Sequence, residues 1–205
     1  MAKTTFGEEV YLRALTGRYV GEYVLRDYTD IAVISPKNII CNSISAAAEA
    51  TFVSKTGGRA IHLIAEPGNA SERVQKLDEF QPEAIVLMFG GETPIEETKR
   101  LFMEVLKELA ERDIYADIIV HVRIFAAGGL AEAVHDEDIR EYLLEQTVMV
   151  YTVDLDNGLF KINVAQIDET GEFALEKIEQ YVVSVEHAEL LNRSLRDKTV
   201  KWVEA

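Results

Sequence analysis

Short apolar runs alternate with amphipathic stretches through the middle of the chain. Five runs have the length of a strand and are rich in β-branched residues: DIAVIS at 30–35, AIHLIA at 60–65, AIVLMF at 84–89, IIVHVRIF at 118–125, and residues 148–153. Uninterrupted runs of this kind are typical of parallel strands that are buried on both faces. The segments between them carry apolar residues at helical spacing, for example Leu101, Val105 and Leu109.

This alternation, with short connections, predicts an α/β fold. We expect a flavodoxin-like (Rossmann-like), mainly parallel open sheet with helices on both faces. In such sheets, ligands bind outside the carboxyl ends of the strands. The loops to examine are therefore 41–45, 66–69, 89–93 and 125–129.

The pattern changes after Leu155. Asp156-Asn157-Gly158 predicts a hairpin turn and residues 159–167 a returning strand. Residues 172–195 have helical spacing, although the β-branched pair at 182–183 leaves a strand open. We therefore expect three parts: an N-terminal helical segment (1–28), a flavodoxin-like domain (29–155), and an appendage of hairpin and helix (156–205).

Composition and charge exclude several classes of protein. The chain has 205 residues, of which 48% are hydrophobic, so it can form an ordinary globular core. Its net charge of −15 disfavours binding to nucleic acid or to anionic membranes. Its single cysteine, Cys41, excludes an internal disulfide. The first residues lack the apolar core of a signal peptide, and no apolar run approaches the length of a membrane helix. These features predict a cytoplasmic protein.

The segment FGGETP at 89–94 is the first candidate for chemistry. A buried strand ends there in two glycines and leads into a helix start formed by Thr93 and Pro94. Backbone N–H groups and the helix dipole at such a place can hold an anion. The segment lacks the phosphate-binding pattern GxxxxGK[ST], and Glu92, Glu96 and Glu97 would repel an anion. Both a ligand site and a structural turn remain open.

Arg123 is the second candidate because it lies within an apolar run. A guanidinium is costly to bury without a partner, so it pairs either with a carboxylate of the protein or with an anionic ligand. His121, two residues earlier, is expected to face the same side of the strand. Cys41 fits a buried, inert thiol better than a nucleophile, and His62 fits a core position. No histidine pair has metal-ligand spacing, so we assign no catalytic or metal-binding residue.

Residues 37–151 resemble the flavodoxin-like CoA-ligase domain of the succinyl-CoA synthetase β subunit and of ATP-citrate lyase. Four segments carry the resemblance in order: SPKNIICNSISAAAEA, TGGRAIHLIAEPGNASERV, EAIVLMFGGETPIEETKRLFMEVLKE and ADIIVHVRIFAAGG. They cover half to 60% of the chain. The resemblance implies an acyl-CoA-synthetase-like subunit that binds a small carboxylate or acyl-phosphate. It assigns ligand-binding roles to Asn42, Ser43, Gly90, Gly91, Thr93 and Arg123.

The same resemblance leaves an enzyme incomplete. The chain contains neither the ATP-grasp part nor a phosphohistidine loop, so an acid–thiol ligase would need a partner subunit for nucleotide chemistry. CoA or phosphate would be its cofactors. The loop at 42–45 (NSIS) is bulkier than the glycine-rich loop of the family. The alternative is a non-catalytic binding or assembly protein that keeps the fold. In either case we expect a homo-oligomer.

Overall fold

A seven-stranded sheet forms the centre of the molecule. The computed structural model describes residues 4–154 and 156–196. Residues 1–3, Leu155 and the last part of the predicted appendage, residues 197–205, lie outside the described ranges. The strands are β1 (Asp30–Pro36), β2 (Arg59–Ala65), β3 (Ala84–Leu87), β4 (Asp117–Val120), β5 (Val148–Asp154), β6 (Leu159–Ile167) and β7 (Phe173–Val182). Their order in the sheet is β2-β1-β3-β4-β5-β6-β7. The five strands β1 to β5 are parallel, and β6 and β7 continue the sheet antiparallel.

Helices cover both faces of this sheet. They are α1 (Phe6–Tyr19), α2 (Ile39–Thr56), α3 (Ala70–Gln75), α4 (Leu77–Phe80), α5 (Ile95–Glu111), α6 (Val122–Ala126), α7 (Gly129–Ala133), α8 (Glu137–Leu144) and α9 (Val185–Arg196), with a π-helical turn at Val20–Val24. One core cluster joins the sheet to α5 and α8, and a second joins it to α2 and the π-helical turn. The predicted open α/β fold is confirmed.

Strand β1 lies between β2 and β3, so the order in which the chain adds strands reverses at β1. Ser35 is paired with Ile64 of β2, while Ile34 is paired with Leu87 of β3. Helix α2, which follows β1, and helix α5, which follows β3, pack in different core clusters on opposite faces of the sheet. The place where the loops before these two helices meet, at the carboxyl edge, is called the crevice below. Such a reversal point is where open α/β sheets bind ligands.

The strand predicted at 118–125 is wrong in its second half. Strand β4 ends at Val120, and His121 becomes the N-cap of α6, with its ring nitrogen Nδ1 accepting a hydrogen bond from the Arg123 backbone N–H at 3.0 Å. Arg123 consequently lies in the first turn of a helix. An imidazole that caps a helix satisfies a backbone donor, which the apolar pattern of residues 118–125 could not reveal.

The starts of two long helices are set differently. Helix α2 begins at Ile39 because its N-cap, Asn38, accepts a hydrogen bond from the Cys41 backbone N–H at 2.8 Å. Asparagine is among the strongest N-cap residues. The N-cap of α5 is Pro94, one residue after the predicted Thr93, and it makes no side-chain capping bond.

The predicted hairpin is confirmed, because β5 and β6 pair antiparallel on either side of the turn at 156–158. The helical spacing at 172–195 is misleading in its first half: residues 173–182 form strand β7, which is the alternative left open there, and a helix begins only at Val185. Helix α9 then packs on α1, where Leu12 contacts Leu190 and Leu191. Within residues 4–154 and 156–196, every helix is too short or too polar to cross a bilayer.

Candidate functional site

Asn38 joins the two loops at the crevice. As N-cap of α2 it accepts from the backbone of Cys41, and its Nδ2 lies 3.5 Å from the Thr93 hydroxyl in the loop after β3. The Cα of Gly91 packs directly against this amide: a Cβ at residue 91 would lie 2.3 Å from the Asn38 oxygen. Gly91 also has φ +81°, a left-handed conformation that favours glycine. The second glycine of FGGETP is thus required by close approach and by backbone conformation.

Arg123 lies in the segment after β4 and contacts the loop after β3. Its Nη1 donates to the Gly91 backbone carbonyl, and its Cδ would lie 3.4 Å from a Cβ placed on Gly90. The ring of His121 also lies beside Gly90, with Cε1 at 3.1 Å from the same position. The structure therefore brings the predicted residues Gly90, Gly91, Thr93 and Arg123 into one place. Their role in ligand binding stays a prediction.

A second arginine reaches this place from helix α1. Arg13 has a side chain that is 12% exposed, and it forms an ion pair with Glu9 at 3.4 Å. Burial lowers the pKa of Arg123, and the charge of Arg13 lowers it further. The pKa of Arg13 is likewise lowered by burial, while Glu9 opposes that change. The charge of Arg13 therefore acts on Arg123, and both side chains are largely buried.

The buried ring side chains near these arginines, His121 and Tyr151, are neutral. His121 is 6% exposed, and burial lowers its pKa to about 3, with the charges of Arg13 and Arg123 acting in the same direction. Its ring meets the buried ring of Tyr151 edge to face, with centroids 5.6 Å apart. His121 is therefore uncharged at neutral pH, and the positive charge here belongs to the two arginines.

Cys41 faces the same region but is an inert thiol. It is buried in the first turn of α2, and burial raises its pKa to about 11, although Asn38, the Gly90 backbone and the nearby arginines oppose this rise. A nucleophilic cysteine needs a lowered pKa and access to substrate. In this protein the pKa of Cys41 is raised and its thiol is buried.

We expect Cys41 to react slowly with iodoacetamide in the folded protein. At pH 7.5 the rate should be at least about 100-fold below that of the chain unfolded in guanidinium chloride, because the thiolate fraction is lower and the sulfur is covered. The single cysteine makes the assay unambiguous by mass spectrometry. Equal rates in the folded and unfolded protein would contradict this environment.

The described contacts of Asn42 and Ser43 are with residues other than the Gly90-Gly91 loop and Arg123. The Asn42 amide oxygen accepts from the Ser35 hydroxyl at 3.3 Å, and the Ser43 hydroxyl donates to the backbone of Ile39 at 2.7 Å. Asn42 belongs to a separate group that includes Ser35 of β1.

That separate group has the order serine, imidazole, carboxylate. The Ser35 hydroxyl lies 2.8 Å from His62 Nε2, and His62 Nδ1 lies 3.2 Å from Glu49 Oε1. Burial lowers the pKa of His62 and raises that of Glu49 to about 7. The same order occurs in hydrolase triads, but Ser35 is 0% exposed, so its hydroxyl is closed to a substrate. We interpret the group as a polar support between β2 and α2.

Sequence reasoning missed Arg13 and Asn38. Asn38 carried a usable signal, because an asparagine before an apolar helical stretch predicts an N-cap. Arg13 carried none, since it lies on an ordinary charged helix distant in sequence from the loops. In the part of the chain that the structure describes, no three His, Cys, Asp or Glu side chains are grouped so as to hold a metal ion.

An open cleft lies elsewhere on the surface, between α3 and α5. Its volume is about 260 Å³, and its lining residues are Gly68, Ala70, Ser71, Glu104, Lys107, Glu108 and Glu111. Three carboxylates against one ammonium make this cleft acidic. It therefore does not suit an anion, in contrast to the arginine region.

The strand order and the polar edge site define a flavodoxin-like α/β protein with its candidate site at the topological switch point. A family model described as "Uncharacterized protein" matches residues 9–190, and the chain belongs to that family. A relative from Aquifex aeolicus (strain VF5), with the same description, is 24% identical over 148 residues, which are 72% of this chain and 67% of the relative.

Two solved structures share the fold at low sequence identity. One, from Rhodospirillum rubrum, is described as a branched-chain amino acid ABC transporter; it is 18% identical with a TM-score of 0.52, over 70% of this chain and 38% of its own. The other is a solute-binding protein of an ABC transporter from Rhodopseudomonas palustris BisB5 in complex with 3,4-dihydroxybenzoic acid. It is 11% identical with a TM-score of 0.53, over 85% of this chain and 66% of its own. The chain thus spans less than two thirds of either protein.

These findings overturn the resemblance to CoA ligases. The matching family is not a CoA-ligase family, and the structures that share the fold are transport proteins. The predicted acyl-CoA-synthetase-like subunit is therefore wrong. The assembly role named in its alternative, a non-catalytic binding or assembly protein, has no counterpart in these structures either. The error has a physical cause: strands ending in Gly-Gly before a helix recur in many parallel α/β sheets, since they answer a backbone requirement.

Proposed function

We propose that this protein binds a small organic anion, a carboxylate, at the carboxyl edge of its sheet. The ligand would lie at the crevice formed by the Asn38 loop, the Gly90-Gly91 loop and the start of α6. Arg13 and Arg123 would supply the charges. The observation that carries the proposal is the placement of Arg123 against the Gly90-Gly91 loop at the topological switch point, where the charge of the largely buried Arg13 also acts on it.

Electrostatics favours an anion between these groups. Two like charges in a region of low dielectric repel by several times their energy in water. A carboxylate placed there offsets that repulsion and accepts the paired N–H bonds that a guanidinium offers.

The solved structures add support from ligand chemistry. The R. palustris protein holds 3,4-dihydroxybenzoic acid, and the R. rubrum protein is described as transporting branched-chain amino acids. Both kinds of molecule carry a carboxylate beside an apolar part. Their similarity to this chain establishes the fold alone, so the ligand class is carried here by the arginines.

The test is a thermal-shift and calorimetry screen with valine, leucine, benzoate, 3,4-dihydroxybenzoate and inorganic phosphate. A carboxylate at 100 times its Kd should stabilise the fold by about 2.7 kcal/mol, a Tm increase of roughly 5–10 °C for this length. In Arg123→Gln the Kd should rise about 10- to 100-fold, since a hydrogen bond to a charged group contributes about 1.5–3 kcal/mol.

A matched control is Arg100→Gln on α5, where the side chain is 63% exposed. It removes the same charge and should leave the Kd within about twofold. If none of the carboxylates binds, or if Arg123→Gln and Arg100→Gln bind equally well, the proposal is wrong. Far-UV circular dichroism of each variant separates lost binding from lost folding.

A further inference from the structure

Four polar side chains between α2 and the strands β1 and β2 form a continuous chain of hydrogen-bonding atoms. The Ser35 hydroxyl lies 3.3 Å from the Asn42 amide oxygen and 2.8 Å from His62 Nε2. At the other end, His62 Nδ1 lies 3.2 Å from Glu49 Oε1. The chain thus connects the middle of α2, at Glu49, to its first turn, at Asn42. Each atom in such a chain donates or accepts, so the position of one hydrogen fixes the others.

The contacts of Ser35 locate the ring proton of His62. A hydroxyl has a single hydrogen to donate. Because Ser35 donates it to the Asn42 oxygen, the hydroxyl accepts from the imidazole, and Nε2 carries the ring proton. Burial lowers the pKa of His62, so its ring is neutral at pH 7 and Nδ1 is left as an acceptor. That acceptor faces a carboxyl oxygen of Glu49.

Two acceptors that face each other at 3.2 Å require a proton between them. Glu49 Oε1 is buried, and no hydrogen bond reaches it from the residues that the structure describes. A protonated Glu49 meets both requirements, since its O–H donates to His62 Nδ1. Burial favours the same form, because it raises the pKa of Glu49 to about 7. The observed arrangement is therefore that of the protonated carboxyl group.

Loss of this proton reverses the direction of every hydrogen bond in the chain. An ionised Glu49 only accepts, so the imidazole donates to it from Nδ1 and Nε2 becomes the acceptor. The Ser35 hydrogen then goes to Nε2 in place of the Asn42 oxygen. To keep its bond to Ser35, Asn42 turns its amide over and donates from Nδ2. One proton leaves to solvent, and the four side chains are again satisfied.

The surrounding charges leave this proton to the chain itself. Burial is the sole cause of the pKa changes of Glu49 and His62 within the described ranges. Water reaches both titrating side chains, since His62 is 23% exposed and Glu49 20%. The charged side chains on α2 and on the elements around it are paired with one another: Arg13 with Glu9, Glu22 with Lys55, Asp30 with Arg59, and Lys37 with Glu66.

We propose that this group is a two-state proton switch: protonated Glu49 keeps the Asn42 amide oxygen on Ser35, and ionised Glu49 turns that amide over. Asn42 lies in the first turn of α2, where its backbone N–H donates to the Asn38 carbonyl at 3.0 Å. The switch therefore ends one helical turn from the residue that caps α2 at the crevice. This inference is independent of the proposed function, since neither its atoms nor its test involves the ligand.

Long-range ¹H–¹⁵N NMR of the full chain, which reports the tautomer of each histidine, tests this switch. Between about pH 6 and about pH 8.5, His62 should change from the Nε2–H form to the Nδ1–H form, with a midpoint near pH 7. The side-chain amide signals of Asn42 should move with the same midpoint. His62→Gln identifies the signals of this histidine.

Two variants separate the steps of the switch. In Glu49→Gln, His62 should keep the Nε2–H form throughout, because the glutamine amide donates to Nδ1 as the protonated carboxyl group does. Ser35→Ala should keep the tautomer change of His62 and lose the response of Asn42, since the connection between them is removed. A matched control is Glu104→Gln on α5, where the side chain is 37% exposed. It removes one carboxylate and should leave both transitions unchanged.

A His62 ring that keeps one tautomer over this pH range overturns the inference. A tautomer change that persists in Glu49→Gln overturns it as well, because another group then supplies the proton. An Asn42 response that survives in Ser35→Ala rules out transmission through the hydroxyl. Circular dichroism of each variant shows that its fold is kept, and no substitution here enlarges a buried side chain appreciably.

Discussion

Replacing Gly17 with alanine is expected to destabilise the fold by about 3 kcal/mol, a decrease in Tm of roughly 5–10 °C. Helices α1 and α2 approach each other backbone to backbone at this residue. A Cβ on Gly17 would lie 2.2 Å from the Ile44 carbonyl oxygen and 3.0 Å from the Ala47 side chain. Because the obstacle is backbone, it can be relieved only by moving one helix, which disturbs the core beneath.

Gly21, one turn further along, should respond in the same way. A Cβ there would lie 2.3 Å from the Ala48 carbonyl oxygen. The control is Gly7→Ala in the same helix α1, where a Cβ would meet nothing within 4 Å. That change should stabilise the protein by up to about 1 kcal/mol, since alanine favours a helix over glycine.

Urea unfolding measures all three glycine variants. The midpoints for Gly17→Ala and Gly21→Ala should shift to lower urea concentration with an unchanged slope. A Gly17→Ala variant as stable as Gly7→Ala would mean that α1 does not pack on α2 in this way. These helices also place Arg13, so the result bears on the site.

Acidification from pH 6.5 to pH 4 is expected to remove about 3 kcal/mol of stability through His187 alone. This histidine of α9 is 0% exposed, with Nε2 3.0 Å from the Thr16 hydroxyl and its ring against Tyr19. Burial lowers its pKa to about 4, and the charges of Arg13 and Arg18 act in the same direction. The histidine is therefore neutral in the folded protein at pH 5.

The sign of the pH effect follows from proton binding. Between pH 6.5 and pH 4 the unfolded chain protonates this histidine and the folded protein does not. The unfolded state binds more protons there, so the free energy of unfolding falls as the pH falls. Glu49 has the opposite effect on stability because burial raises its pKa to about 7. Between pH 7 and the ordinary pKa of glutamate, the folded state binds more protons than the unfolded state, so the free energy of unfolding rises as the pH falls.

His187→Gln isolates the histidine from these other groups. Glutamine keeps a hydrogen-bonding partner for Thr16 and does not titrate. The stability difference between wild type and variant, measured by urea unfolding at pH 7, 5.5 and 4, should change by about 3 kcal/mol in favour of the variant. Parallel curves for the two proteins would contradict the buried, neutral histidine.

Local sequence determined part of the candidate site. The Gly90-Gly91 loop was predicted because two glycines follow a buried strand, and Arg123 because a guanidinium in an apolar run needs a partner. The structure joins them by the Arg123 bond to the Gly91 carbonyl. The predicted strand containing Arg123 was nevertheless wrong, because the capping bond of His121 depends on a side-chain orientation that periodicity does not report.

The sequence by itself determined the open α/β class, since strand and helix follow from the spacing of apolar residues within single segments. It also determined the antiparallel pairing of β5 with β6, through the turn at Asp156-Asn157-Gly158. Only the tertiary structure decided that the charge of Arg13 acts on Arg123 and that His187 lies buried against Thr16. These pairs are more than 100 residues apart, and they form because Gly17 and Gly21 let α1 lie directly on α2. Such contacts depend on how whole elements pack, which no local pattern encodes.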